Sequence, residues 1–318
     1  MLHQVRPEPP QAFEPNRILR VTPEFLEAVV VSMLESGFDV IALDQLPGRL
    51  RDGHDRPFAC FTLDDGYRDN LDYAYPIFKR HRLPFAIYVP TDFADGRGDF
   101  WWLTLEKVLR IAPLITLAMD GEGRHFPLAT VSQKETAYRE IYWWLRSIPE
   151  ELARAAVAEL AAAHDIDHRA TQAGLIMSWD ELRALTKDPL VTIGGHTKSH
   201  LALGKLSEGE VRAEMAESIA RIEFELDRPC RHFSYPYGCA NSAGSREFEI
   251  AKELGLLTAV TTQKGLLNPE HAEALTALPR LSLNGDFQDI RYVKALLSGV
   301  PFALMNTLQR LSGYQNPA

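Results

Sequence analysis

The sequence predicts an α/β fold on three observations: short apolar runs that break abruptly into polar or glycine exits, helix-forming stretches between them, and repetition of that order along most of the chain. Residues 6–16 hold four prolines and read as a loop. Thr22 then caps a helix over about 23–36, with Pro23 and Glu24 in its first turn and Gly37 to stop it. Phe38 to Leu43 reads as a short strand. Pro57 to Leu63 is an apolar run that ends in Asp64, Asp65 and Gly66, the pattern of a buried parallel strand leading into a functional loop. A helix around 69–81, a strand from Pro84 to Val89 and a loop from Thr91 to Gly98 follow. Residues 100–175 depart from the alternation; Trp, Ala, Glu and Arg dominate there, segment 133–164 is helical by composition, and the whole reads as a helical insertion. Alternation resumes with a strand at Leu190 to Ile193, a helix over about 207–227, a strand at His232 to Tyr235, a helix over about 245–254, and strands at Thr258 to Thr262 and Leu278 to Leu283.

A length of 318 residues admits one large domain or two, and the chain is read as one domain with a helical tail over about 288–312. Hydrophobic residues at 46% and charged residues at 24% describe an ordinary globular protein. A net charge of −9 with no basic run argues against a nucleic-acid partner. No uncharged apolar stretch reaches the length of a membrane-spanning helix, and the N-terminus carries no export-signal pattern, so the sequence as it stands reads as cytoplasmic. Met1 to Val5, however, resembles the tail end of a strand. A segment upstream of it would make a periplasmic or secreted location equally readable. Cys60, Cys230 and Cys239 read as reduced thiols, with a Cys230–Cys239 bridge as the other option.

Three segments carry chemistry. T-L-D-D-G at 62–66 puts adjacent carboxylates at a strand exit, where one can bind a cation while its ionised neighbour takes a proton from water. Alone, D-D-G equally describes a strand-ending turn with solvated acids. G-G-H-T-K-S-H at 194–200 spaces His196 and His200 by four, which on a helical turn lets two imidazoles share a metal and leaves room for a distant carboxylate. F-S-Y-P-Y-G at 233–238 makes a stiff turn with an apolar wall suited to a sugar ring, from Tyr235 and Pro236.

In this order the three segments resemble those of the polysaccharide deacetylase family, which includes the nodulation-type chitooligosaccharide deacetylases; the resemblance runs from Met1–Val5 to Pro279-Arg280. It implies a distorted (β/α) barrel, a hydrolase that removes N-acetyl groups from an N-acetylglucosamine-containing glycan, and one divalent metal ion, zinc foremost with cobalt or nickel as substitutes. By motif position, Asp64 resembles the general base, Asp65, His196 and His200 the metal ligands, and Tyr237 the residue whose backbone N–H binds the oxyanion. Departures stand beside the match. Ser234 occupies the place of an arginine, an aspartate-containing motif is missing around Thr258 to Gly265, and no histidine follows His271 to supply a general acid. Arg280 is the candidate to orient Asp64 in place of that arginine, and His3 the candidate acid, with His232 weaker.

Trp101 and Trp102 are candidate sugar-stacking residues, although a tryptophan pair opening a helical segment is commonly core. The amphipathic tail, with Val300, Phe302, Leu304, Met305 and Leu308, is expected to pack on the barrel. Two other functions stay open at this point: a metal-dependent hydrolase of a small non-peptide amide, and a carbohydrate-binding homologue with impaired turnover. The sequence does not name the oligomeric state.

Overall fold

The computed structural model describes residues 1–53, 56–167 and 174–302. Its elements run β1 (Gln4–Val5), β2 (Arg20–Val21), α1 (Pro23–Glu35), β3 (Asp39–Val40), α2 (Leu46–Asp52), β4 (Phe58–Ala59), β5 (Phe61–Leu63), α3 (Tyr75–His81), β6 (Phe85–Val89) and α4 (Thr91–Ala94). An inserted group follows: α5 (Trp101–Ile111), β7 (Leu114–Met119), β8 (Glu122–Pro127), α6 (Val131–Ser147) and α7 (Glu150–Ala162). The chain then resumes with α8 (Trp179–Leu185), β9 (Val191–Gly195), α9 (Glu208–Leu226), β10 (His232–Ser234), α10 (Ser245–Glu253), β11 (Thr258–Lys264), β12 (Leu278–Arg280) and α11 (Ile290–Leu297).

The α/β architecture is as expected: a curled, parallel, six-stranded sheet ordered β12-β11-β10-β9-β6-β5. Met1 and Leu2 bridge its two edges. Leu2 N–H donates to the Thr62 carbonyl and Asp64 N–H to the Leu2 carbonyl, while Leu283 N–H donates to the Met1 carbonyl. These bonds tie β5 to the chain just after β12 and close the distorted barrel. Of residues 1–5, Leu2 makes a single parallel bridge to Leu63 and Gln4–Val5 form β1 beside β2. At Gly194 of β9 a Cβ would stand 2.6 Å from both the His232 carbonyl oxygen and the Tyr88 ring, so only glycine fits.

Local signals explain most boundaries. Thr22 Oγ1 accepts from Phe25 N–H at the start of α1, and Ser207 does the same for Glu210 at the start of α9. The apolar run 57–63 is two short strands, because β4 pairs with β3 and β5 with β6. Residues 91–98, expected as a loop, open with α4.

The insertion needs a larger correction, since it is not wholly helical. β7 and β8 form an antiparallel hairpin, with Ile115, Leu117 and Met119 inward and a turn at Asp120 (φ 55°) and Gly121 (φ 84°). Helix 133–164 is two helices, broken where Pro149 precedes α7. The insertion has its own apolar core around Trp101, Trp102, Leu105, Ile141 and Leu160. All three cysteines are free. Val293 of α11 packs into the main core, whereas the expected tail residues Leu304, Met305 and Leu308 lie outside the described residues. Among the described residues no helix is long and apolar enough to cross a membrane.

Candidate active site

Asp64 and Asp65 directly follow β5, and His196 directly follows β9, so the three motif segments meet at the C-terminal ends of parallel strands, where sites form in such folds. Asp65, His196 and His200 are 2%, 2% and 5% exposed. Asp65 Oδ1 stands 3.4 Å from His196 Nε2 and 3.3 Å from His200 Nε2, and one ligand atom from each residue falls within 4.8 Å of the others. His196 Nδ1 donates to the Ser234 carbonyl at 2.6 Å, which leaves the Nε2 lone pair aimed at Asp65. Asp65 Oδ1 is buried and no donor among the described residues reaches it. Acceptors gathered without a donor are costly in a dry site, and a divalent cation satisfies one carboxylate and two imidazoles together. The residues present therefore fit a metal. Burial pushes the His200 imidazole down, toward the neutral form that can ligate a cation.

Asp64 faces the other way. Arg280 Nη1 donates to Asp64 Oδ1 at 2.8 Å and Nη2 to Oδ2 at 2.7 Å, a bidentate pair buried on both sides. Arg280 also donates through Nε to the Thr261 carbonyl at 2.8 Å and through Nη2 to Ser234 Oγ at 2.9 Å. Burial alone would raise the Asp64 carboxyl, but the Arg280 guanidinium wins and leaves it at about 2. Ser234 thus touches both halves of the site: its carbonyl fixes His196, and its hydroxyl bridges Asp64 and Arg280.

The remaining expected residues divide. His3 is partly buried near the acids; burial pulls its pKa down while Asp65 and Asp64 pull it up. His232 lies at the opposite, N-terminal end of β10, bonded to Thr258 and Asp44. Tyr237 has a left-handed backbone (φ 61°), and its ring centroid lies 5.0 Å from that of His200.

The four residues expected to contact substrate are buried. Trp101 and Trp102 are 2% and 4% exposed, Trp102 packs 5.1 Å from His200, and Trp101 Nε1 donates to Tyr237 Oη at 3.0 Å. Tyr235 is buried with its hydroxyl on the Thr276 carbonyl, and Pro236 is buried as well. None of the four offers a ring face to solvent. Two arginines from the insertion carried no sequence signal: Arg146, whose guanidinium lies 3.4 Å over the Tyr237 ring, and Arg154, which donates to the Ser199 carbonyl at 2.8 Å.

The sequence profile of the family described as polysaccharide deacetylase matches residues 51–259, more than half of the chain. The chain belongs to the polysaccharide deacetylase family. Solved structures agree on the fold of this deacetylase-family chain. The Streptococcus pyogenes deacetylase PplD in complex with acetate is 15% identical with a TM-score of 0.59, over 89% of this chain and 90% of that one. A de-N-acetylase from Aggregatibacter actinomycetemcomitans is 13% identical with a TM-score of 0.57, over 93% and 97%. IcaB from Ammonifex degensii is 15% identical with a TM-score of 0.56, over 90% and 92%. No curated protein matches by sequence.

Proposed function

We propose that this chain is a metal-dependent hydrolase that removes N-acetyl groups from an N-acetylglucosamine-containing polysaccharide or chitooligosaccharide, with zinc as its metal and cobalt or nickel as working substitutes. One observation carries the reading: a buried carboxylate gripped by an arginine, Asp64, sits next in sequence to a buried Asp65–His196–His200 cradle. A divalent cation held by Asp65, His196 and His200 would supply Lewis acidity toward the amide carbonyl and toward water, which a base as weak as Asp64 requires. Asp64 takes the proton of the attacking water, and Arg280 keeps that carboxylate ionised and oriented. The Tyr237 backbone N–H donates to the oxyanion that develops on the carbonyl. His3 delivers a proton to the departing amine, so that acetate and a free amino sugar leave. Two similar structures, a deacetylase in complex with acetate and a de-N-acetylase, support the direction of this reading.

The test is acetate release from N-acetylated chitooligosaccharide and poly-N-acetylglucosamine by the purified chain supplied with zinc. Release that a chelator abolishes supports the proposal. No release from any N-acetylated glycan with zinc, cobalt or nickel overturns it. The burial of Trp101, Trp102, Tyr235 and Pro236 favours a second reading, hydrolysis of a small non-peptide amide, and a panel of such amides beside the glycans separates the two.

A further inference from the structure

The loop from His196 to His200 is gripped from two sides. From α9, Glu214 Oε2 accepts the Lys198 N–H at 3.1 Å and the Ser199 N–H at 2.9 Å. From α7 of the insertion, Arg154 donates through Nη2 to the Ser199 carbonyl at 2.8 Å and to the His200 carbonyl at 3.4 Å, while its Nη1 lies 3.5 Å from Asp99 Oδ2. This grip falls on backbone that is hard to hold, because Thr197 and His200 are both left-handed, at φ 61° and 58°.

The two imidazoles of the cradle are not secured alike. His196 is fixed through Nδ1 by the Ser234 carbonyl, whereas His200 Nδ1 is buried and meets no partner among the described residues. A metal-binding histidine is ordinarily oriented by a hydrogen bond from its other ring nitrogen. For His200 the orientation must come from ring packing against Phe93, Trp102 and Tyr237 and from the backbone that carries it.

We propose that Arg154 is the positioning residue for His200: the insertion reaches into the metal loop and fixes that ligand through its main chain. Arg154 touches neither substrate nor metal; it sets where the His200 Nε2 lone pair points. The inference rests on the metal-site reading above and deepens it, since it makes the insertion part of the cradle rather than an appendage.

The experiment is a cobalt titration of the full chain, wild type beside Arg154→Ala and Arg154→Lys, read by the visible absorption of bound cobalt, with circular dichroism as a check of folding. Arg124→Ala, which removes a surface pair with Glu140 elsewhere in the insertion, is the control. Loss of an outer partner of a metal ligand typically weakens binding about 10- to 100-fold, so Arg154→Ala is expected to raise the cobalt Kd by that factor and shift the spectrum. Arg154→Lys, able to reach one carbonyl, recovers part of the affinity, and Arg124→Ala matches wild type. Unchanged Kd and spectrum in Arg154→Ala overturn the inference. Should that variant not fold, Arg154→Lys decides by the same readout: a raised Kd supports the role and a wild-type Kd refutes it. Wild type that takes up no cobalt is a different result, because it sinks the metal-site reading itself.

Discussion

Removing the Arg280 guanidinium while keeping its bulk, as in Arg280→Met, isolates the pair at the back of the site. The wild-type guanidinium gives two bonds to Asp64, one to Ser234 Oγ, one to Thr62 Oγ1 and one to the Thr261 carbonyl, all at 2.7 to 3.2 Å. Losing them leaves the Asp64 charge buried and unpaired, and removal of one partner from a buried ion pair costs about 3–5 kcal/mol. Adding Asp64→Asn removes the stranded charge at nearly constant shape, so the double variant should regain about 2 kcal/mol or more relative to Arg280→Met. Urea unfolding of metal-free protein measures both; guanidinium chloride is unsuitable because its cation can occupy the space of the lost side chain. Acetate release cannot substitute for this measurement, since both variants disable the proposed base. A double variant no more stable than Arg280→Met would show that the carboxylate is not what the arginine compensates. Arg280 would then not be what holds Asp64 ionised beside Ser234.

Other perturbations address other parts of the site. Asp65→Asn, His196→Ala and His200→Ala should each abolish retention of zinc after dialysis, measured by elemental analysis against one equivalent in wild type; full retention in any of them removes that residue from the ligand set. His3→Gln should slow acetate release by about 100-fold or more, the usual worth of a general acid, and unchanged turnover rejects His3 in that role. Burial pushes the Asp69 carboxyl up to about 7, against the opposing Val5 N–H and Arg6. The folded state therefore holds that proton more tightly than the unfolded chain, and stability falls as pH rises from about 4 through 7. Asp69→Asn should accordingly raise the melting temperature at pH 8 and change it little at pH 4; an equal shift at both pH values would exclude this linkage.

How much of this was readable in advance follows the range over which each interaction acts. Asp64, Asp65, His196 and His200 were legible because residue type, spacing and strand exit all lie within a few positions of one another. Arg280 was legible only as a candidate: nothing local says that a strand-end arginine reaches back to β5, and closure of the barrel brings the two together. The hairpin in the insertion did leave a mark, an Asp120-Gly121 turn between alternating apolar residues, but the surrounding helix-forming composition concealed it. For Trp101, Trp102 and Tyr235 the sequence leaves two readings side by side, because an aromatic beside a motif has the same signature whether it lines a groove or packs in the core, and the structure buries all three. The contacts of Arg146 with Tyr237 and of Arg154 with the Ser199 carbonyl were invisible, since those partners sit far along the chain on other elements.

Backbone strain points to the same division. Among the described residues eight non-glycines have positive φ, and four of them, Arg82, Asp120, Asp165 and Asp227, sit at helix ends or in the hairpin turn, where such geometry is routine. The other four are Asp65, Thr197, His200 and Tyr237, which lie in the loops after three different strands and have no common sequence reason to be left-handed. A β-branched residue such as Thr197 resists that conformation strongly, so something must hold it. Three of the four have visible ties: the Thr197 hydroxyl accepts the His200 N–H at 2.8 Å, the Arg154 guanidinium engages the His200 carbonyl, and the Thr262 hydroxyl donates to the Tyr237 carbonyl at 2.6 Å. A turn made only to reverse the chain would have no use for such ties, because a glycine there would cost less. Strain kept at three strand exits that face one point is understandable if the side chains at those exits must converge, and a shared cation beside an ionised carboxylate is what would require it.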